Sequence, residues 1–376
     1  MMILKIQKDV ISKALTIASK GLPTKTPLEA LYQIKFEATE AGLRLTSSNV
    51  DLTIKHFIPA ATNQLEIKAP GTALLPGKQL VELVKRFKEG WVTFSFVEGA
   101  VVVKSGNSRF TLKSGELSQY PILFEDLSEP TQSIEVSGNQ LMKLFKETLP
   151  FTATNESRPA LTGVHFTIDA DHWQCVSTDS FRLSQVEVAH HQAVEGKTSV
   201  IIPHDSLADL IKLFPTTKED QRIKLSLHPT ELIFETDDLV VYTRLIGDAF
   251  PDTSAFVPAT FNQTVQVDRL ELLELIDRLL LISDLNSTVF LTLKSSQGTL
   301  NLYTSQECGK AEEEMDAQGI QSDLRICFNG KFLKEAIQSL SGATLELCFN
   351  GDLRPFVLHE LNQSQSIRLI VPMRAA

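Results

Sequence analysis

Leu4-Lys5-Ile6, Ile134-Glu135-Val136 and Val265-Gln266-Val267 each alternate apolar with polar residues, each runs straight into a helical pattern, and they recur about 130 residues apart. Alternation with period two lays one face of a strand against a core, and the change to helical spacing marks where strand gives way to helix. Three similar domains are expected. Inside each, the pattern returns: Ala73-Leu74-Leu75-Pro76, Val200-Ile201-Ile202-Pro203 and Arg325-Ile326-Cys327-Phe328 introduce a second amphipathic helix. The chain therefore reads as six half-repeats. In the first helix Val10, Ala14, Ile17 and Ala18 recur at helical spacing, and in the second Leu80, Leu83, Val84 and Phe87 do so. Between helices the sequence is strand-like, as in Trp91 to Val97 and Val101-Val102-Val103, with turns at Glu98-Gly99 and Ser105-Gly106-Asn107. Each half-repeat predicts one strand, one helix and roughly three further strands. Antiparallel sheets carrying helices on one face make an α+β fold. Proline and acidic residues interrupt the periodicity from Phe124 to Pro130 and from Phe250 to Thr253, which places the domains at residues 1–126, 127–254 and 255–376.

Composition bounds the function classes. A chain of 376 residues with 43% hydrophobic and 22% charged content is ordinary globular protein, large enough for several cores. No stretch approaches the roughly 20 apolar residues that span a bilayer, and a cytoplasmic location is expected. Cys175, Cys308, Cys327 and Cys348 are scattered without close pairs. They are expected to be buried small hydrophobes in a reducing compartment. A net charge of −10 excludes a surface uniformly attractive to nucleic acid. Any DNA contact must come from a local basic face.

The predicted helices supply one. Lys20, Lys78, Lys85, Lys143, Lys146 and Lys212 lie on or beside them, and Lys25 and Arg158 complete the DNA-facing candidates. A single such lysine ordinarily means a solvated helix face. Recurrence on the repeated helices means more, because helices facing one cavity would give an acidic protein a basic lining. The segment from Asp268 to Leu280 dissents, with Glu271, Glu274 and Asp277 against Arg269 and Arg278.

Motifs that suggest catalysis fail on inspection. Gly196-Lys197-Thr198 lacks the glycine that a phosphate loop needs five residues before its Gly-Lys pair, where this chain has His191. His190-His191 has no third ligand at metal spacing and reads as an exposed turn. Asp179 beside Ser180 lacks a Gly-x-Ser-x-Gly elbow. Glu312-Glu313-Glu314 reads as an exposed acidic edge. No enzyme, metal site or cofactor is expected, and a nucleotide-dependent enzyme on a β-rich scaffold is the rival that these failures disfavour.

Four motifs in order, Leu161-Thr162-Gly163-Val164-His165-Phe166, Ser177-Thr178-Asp179-Ser180-Phe181-Arg182-Leu183, Gly247-Asp248-Ala249-Phe250-Pro251-Asp252 and Val371-Pro372-Met373-Arg374, resemble the signature of bacterial DNA polymerase III β subunits, the β sliding clamps. The resemblance covers essentially the whole duplicated chain. It implies a processivity factor: a head-to-tail homodimer whose six domains ring duplex DNA without reading its sequence, tethering the replicative polymerase. A clamp paralogue devoted to repair or drug resistance is the alternative within the same architecture.

The resemblance also implies site residues. A pocket for short hydrophobic motifs of polymerases, the clamp loader and repair proteins would comprise Leu161, Thr178, Ser180, Phe181, Arg182, Leu183, Pro251 and Phe256. Asn329, Phe332, Leu353, Pro355, Ile370, Val371, Pro372, Met373 and Arg374 would complete it. The ring would close where Arg109, Phe110 and Leu112 meet Leu281 and Ile282 of the second subunit, with Arg109 near Glu312 to Glu314. The family commonly has Gly-His in place of Ser180-Phe181 and often a basic residue in place of Ala255, so pocket shape and partner preference are expected to differ here.

Overall fold

The computed structural model describes residues 2–61, 63–88, 90–97, 99–121, 129–190, 196–216, 219–283 and 287–374. The proposed 126/127 boundary and the linker residues before Glu129 lie outside them, as do Glu98 and His191.

A strand runs into a helix and further strands follow, six times over. The first half-repeat is β1 (Ile3–Gln7), α1 (Lys8–Ala18), β2 (Gln33–Thr39), β3 (Gly42–Ser48) and β4 (Leu52–Pro59), followed by a short additional strand, β5 (Leu65–Ala69). The second is β6 (Gly71–Pro76), α2 (Gly77–Lys85), β7 (Trp91–Val97), β8 (Ala100–Ser105) and β9 (Ser108–Lys113). The third is β10 (Gln132–Ser137), α3 (Gly138–Thr148), β11 (Gly163–Ile168), β12 (His172–Thr178) and β13 (Arg182–Ala189). The fourth is β14 (Thr198–Pro203), α4 (His204–Leu213), β15 (Arg222–Leu227), β16 (Glu231–Glu235) and β17 (Leu239–Arg244). The fifth is β18 (Gln263–Asp268), α5 (Arg269–Leu280), β19 (Thr288–Lys294), β20 (Thr299–Gln306) and β21 (Gly309–Asp316). The last is β22 (Leu324–Asn329), α6 (Gly330–Gln338), β23 (Thr344–Phe349), β24 (Phe356–Glu360) and β25 (Ile367–Ile370).

Strand passes into helix without a linker, and glycine opens three of the helices because there is no room for a side chain. A Cβ on Gly77 would lie 2.5 Å from Leu22, one on Gly138 2.7 Å from the Gln221 carbonyl, and one on Gly330 2.7 Å from Val289.

The chain divides into two compact units, residues 1–139 with 208–245, and residues 140–207 with 246–376. In the first, one sheet has the order β5-β1-β7-β8-β9 and the other β10-β15-β16-β17-β4-β3-β2-β6. The second sheet is continuous because β4 pairs antiparallel with β17, from Leu52↔Thr243 to His56↔Leu239. Ile11, Ala14, Leu15 and Ala18 of α1 and Leu80, Val81 and Val84 of α2 are buried against Leu4, Ile6, Phe36, Leu45 and Phe94. The buried stripe thus adds Ile11, Leu15 and Val81 to the expected Ala14, Ala18, Leu80 and Val84, whereas the expected Val10, Ile17 and Leu83 are only partly covered. Each fully buried side chain of this size contributes about 1.5–3 kcal/mol. The unexpected β5 pairs with the outer edge of β1 and buries Leu65.

In the second unit the sheets run β14-β11-β12-β13-β25-β24-β23-β18 and β21-β20-β19-β22. Here β13 pairs antiparallel with β25, from Arg182↔Ile370 to Gln185↔Ile367. The core gathers Leu272, Leu275, Ile276 and Leu279 of α5 with Leu333, Ala336 and Ile337 of α6 under both sheets.

The duplication extends to single hydrogen bonds. Ser47 Oγ donates to the Ala18 carbonyl at 2.5 Å, and Ser177 Oγ to the Thr148 carbonyl at 2.6 Å. Asn49 Oδ1 accepts from the Asp51 and Leu52 amides at 3.1 and 2.7 Å, and Asp179 Oδ1 from the Phe181 and Arg182 amides at 2.9 and 3.0 Å. Asp179 is thereby a turn former. Between the turn residues Val50 and Ser180 adopt φ of 84° and 78°.

Candidate partner-binding groove and basic helices

Four pieces of the second unit converge on one cavity of about 280 Å³. The turn Pro159–Thr162 supplies Leu161, the β12–β13 turn supplies Thr178, Ser180, Arg182 and Leu183, and the extended segment after β17 supplies Pro251, Thr253 and Phe256. Pro355, Leu369 and Val371 form the remaining wall, with Arg158 at the rim. The chain end is held as an extended tail by two main-chain bonds, Val371 N to the Phe181 carbonyl at 2.9 Å and Met373 N to the Cys327 carbonyl at 2.7 Å.

Arg182 is the fixed point of this arrangement. Its Nε donates to Asp179 Oδ2 at 2.9 Å, one terminal nitrogen bonds Glu335 of α6, and the other donates to the Pro150 carbonyl at 2.8 Å. The guanidinium also lies 4.4 Å over the Phe332 ring and 5.2 Å over Phe151. Buried and fully engaged, it is a strut that shapes the cavity, with no free charge left to offer a ligand.

Nine of the seventeen residues expected in the pocket line this cavity: Leu161, Thr178, Ser180, Arg182, Leu183, Pro251, Phe256, Pro355 and Val371. Phe332 lies beneath Arg182, and Asn329 caps α6 by accepting from the Lys331 amide at 2.9 Å. Phe181, Phe256 and Leu353 hold out large apolar surfaces, 62%, 60% and 67% exposed. Pro372 and Met373 are half-buried and Arg374 is exposed. Ile370 is a correction. It is fully buried in the third repeat's core, because alternation along the strand sends Leu369 and Val371 to the groove and Ile370 to the opposite face. Leu369 and Thr253 were not expected in the lining, and strand parity identifies the first. Arg158, expected among the DNA-facing cations, lines the groove.

Of the remaining basic candidates, Lys78 and Lys85 lie on α2, Lys143 and Lys146 on α3, Lys212 on α4, Lys20 in the turn after α1, and Lys25 in the exposed loop beyond. Three share their charge within the helix: Lys85 with Glu82 at 3.4 Å, Lys143 with Glu147 at 3.7 Å and Lys212 with Asp209 at 3.2 Å. Such exposed pairs hold weakly and can open toward a phosphate. On α5 the charges are committed elsewhere, Arg278 to Glu313 at 2.8 Å and Asp277 to Lys334 at 2.7 Å. The Arg278 hydrogen bond holds Glu313 below the usual carboxylate range.

At the outer edges of their sheets lie β9 and β21. Strand β9 exposes Arg109, Phe110 and Lys113, with Leu112 half-buried and Phe110 5.8 Å from Phe87, while β21 exposes Glu312 and Glu314. Beside β21, Leu281 is 82% exposed and Ile282 half-buried. Cys308, in the β20–β21 turn, is also exposed, contrary to expectation, with Sγ 3.3 Å from the Ile282 carbonyl. The other three cysteines are buried and their thiols pushed up by desolvation. His190 is another correction: it is buried, stacked 4.9 Å from Trp173. Among the described residues no helix is long and apolar enough to cross a membrane.

Repeated strand-helix-strands halves, merged edge to edge into continuous sheets and carrying an apolar groove at the second joint, define a DNA sliding clamp. Family descriptions agree along the whole chain: the N-terminal, central and C-terminal domains of the DNA polymerase III β subunit match residues 2–124, 135–252 and 254–374. The β sliding clamp of Lactococcus lactis is 30% identical over 98% of both chains, and that of Bacillus subtilis 28% identical over 98% of both. The crystal structure of the Bacillus subtilis DNA polymerase sliding clamp superposes with a TM-score of 0.94 at 27% identity, covering 100% of both chains. The chain belongs to the DNA polymerase III β subunit family, and is a sliding clamp, a processivity factor rather than an enzyme.

Proposed function

We propose that two copies close head to tail into a ring around duplex DNA and tether polymerases and repair proteins through the groove. One observation carries the ring. Joint β4–β17 couples the last strand of the first half of repeat one to the last strand of the second half of repeat two, and β13–β25 does the same for repeats two and three. The strands left over are β21 and β9, in cyclic order. A heterologous contact between them on two chains closes a ring by rotation.

The repeat supplies the register too. The ladder pairs Ser48↔Thr53, Thr178↔Leu183 and Ser305↔Lys310 make Leu52, Arg182 and Gly309 equivalent. Following the ladders outward from β1, β10 and β18 makes Leu112, Thr243 and Ile370 equivalent. Since Leu52 faces Thr243 and Arg182 faces Ile370, Leu112 would face Gly309 of the partner subunit and Arg109 would face Glu312 of the partner subunit. Phe110, Leu112, Leu281 and Ile282 supply the apolar part of this seam, and the basic edge on the acidic one supplies its polarity.

A closed ring holds DNA by topology, so few and non-specific phosphate contacts suffice, from Lys20, Lys25, Lys78, Lys85, Lys143, Lys146 and Lys212. The groove, bounded by Phe181, Phe256 and Leu353, suits the apolar anchors of short motifs in the polymerase, the clamp loader and repair proteins of the cytoplasm. Domain limits at 1–126, 127–254 and 255–376 accompany this reading. Retention on nicked circular DNA after loading, with loss when the circle is linearised, tests it; equal retention on both forms overturns it.

A further inference from the structure

Beyond the Leu161–Pro251 ridge lies a second cavity of about 390 Å³ that shares Arg158, Leu161 and Pro251 with the groove. Its remaining walls include Ala160 and two residues of the segment entering the third repeat, Asp248 and Ala249. The ridge is held in place: Leu161 N donates to the Arg158 carbonyl at 3.0 Å and Ala153 N to the Leu161 carbonyl at 2.8 Å. Arg158 and Asp248 are both exposed, and among the described residues neither joins an ion pair. That contrasts with Arg182, whose guanidinium is spoken for. A cation and an anion therefore line one concave compartment without neutralising each other. Arg158 borders both cavities and stands nearer the groove, whereas Asp248 belongs to the outer compartment alone.

We infer that this compartment receives the segment flanking the apolar anchors of a bound partner and selects its charge order, a carboxylate next to the anchors at Arg158 and a basic residue farther out at Asp248. The inference rests on the reading of the groove as the partner site. Continuity of the two cavities gives the path, and a planar guanidinium at their junction gives the preference, since its fork of N–H donors matches a carboxylate. Partners with the same apolar anchors would then be ranked by their flanks, a difference of affinities that the groove alone does not supply.

The test is isothermal titration of the full-length protein with a capped polymerase-derived clamp-binding peptide, and with the same peptide extended at either end by Glu-Gly-Lys or by Lys-Gly-Glu. At the end that meets the compartment, the extension that puts glutamate beside the anchors and lysine outermost should bind about tenfold tighter than the unextended peptide, and the reverse order no tighter. Asp248→Ala, at a residue outside the groove, should shrink that gain and leave the unextended peptide within about twofold, and Arg158→Glu should reverse which order of charges binds tighter. Equal affinities for all extensions, or a loss in Asp248→Ala as large for the unextended peptide as for the extended one, would overturn the inference while leaving the groove intact. No binding of the unextended peptide would overturn the groove reading and this inference with it.

Discussion

Arg368 Nη2 donates to Glu147 Oε2 across 2.7 Å, joining β25 to α3, and the arginine side chain is 0% exposed. Burial draws Arg368 below the usual guanidinium range, while the Glu147 carboxylate works against that shift. The remaining donors are taken by Ser339 and Ser366 hydroxyls and by the Ile367 and Ser339 carbonyls. Every proton of the buried cation has an acceptor on one of three elements, so the second joint is fixed by a saturated network. Glu147→Ala would leave the guanidinium buried and unpaired. It should cost about 3–5 kcal/mol in urea unfolding of the second and third repeats, and Glu147→Leu with Arg368→Met together should recover most of it. Equal losses in the single and double variants would contradict this.

The half-repeats were legible because each strand-to-helix passage changes the apolar period from 2 to 3.6 with no intervening loop. Strand β5 was not, since among the described residues it has no counterpart in the other five half-repeats. The helix faces were legible to within one or two residues: Val10 and Ile11 are both apolar, and only packing against Leu4 and Phe36 chooses Ile11. Similarity of motif, taken as contiguous runs, drew Ile370 into the groove with its neighbours, whereas strand parity removes it and admits Leu369. Cys308 escaped burial because its turn lies at a sheet edge, which single-sequence periodicity does not reveal.

Val50 and Ser180 hold positive φ in equivalent turns. A β-branched residue is the more strained in that region, and glycine relieves it. Val50→Gly should raise stability by about 1 kcal/mol and Ser180→Gly by less, read as a rise in thermal midpoint. A fall in Val50→Gly would show that its turn is not strained.

Chain ends are ordinarily dispensable, but this one forms a wall of the groove through Leu369 and Val371. Removing residues 371–376 should leave sedimentation and thermal unfolding nearly unchanged, and reduce affinity for a polymerase-derived peptide at least tenfold, about 1.4 kcal/mol. Undiminished binding in isothermal titration would put the pocket elsewhere.

Glutamate in place of Lys78, Lys85 and Lys143 together should weaken DNA association, flatten its dependence on salt and leave sequence preference absent. Sequence-specific binding in a competition assay would be incompatible with a sliding ring.

The ring itself is tested most directly by its seam. Opposed residues in an antiparallel pair lie about 4.5–5.5 Å apart, within disulfide reach. In a Cys308→Ser background, Arg109→Cys with Glu312→Cys should oxidise to a covalent dimer with two disulfides, and either cysteine alone should not. Loaded on a nicked circle before oxidation, the crosslinked ring should survive high salt and leave only when the circle is cut. Failure of the double-cysteine protein to crosslink, or its escape from the intact circle, would contradict closure through β9 and β21.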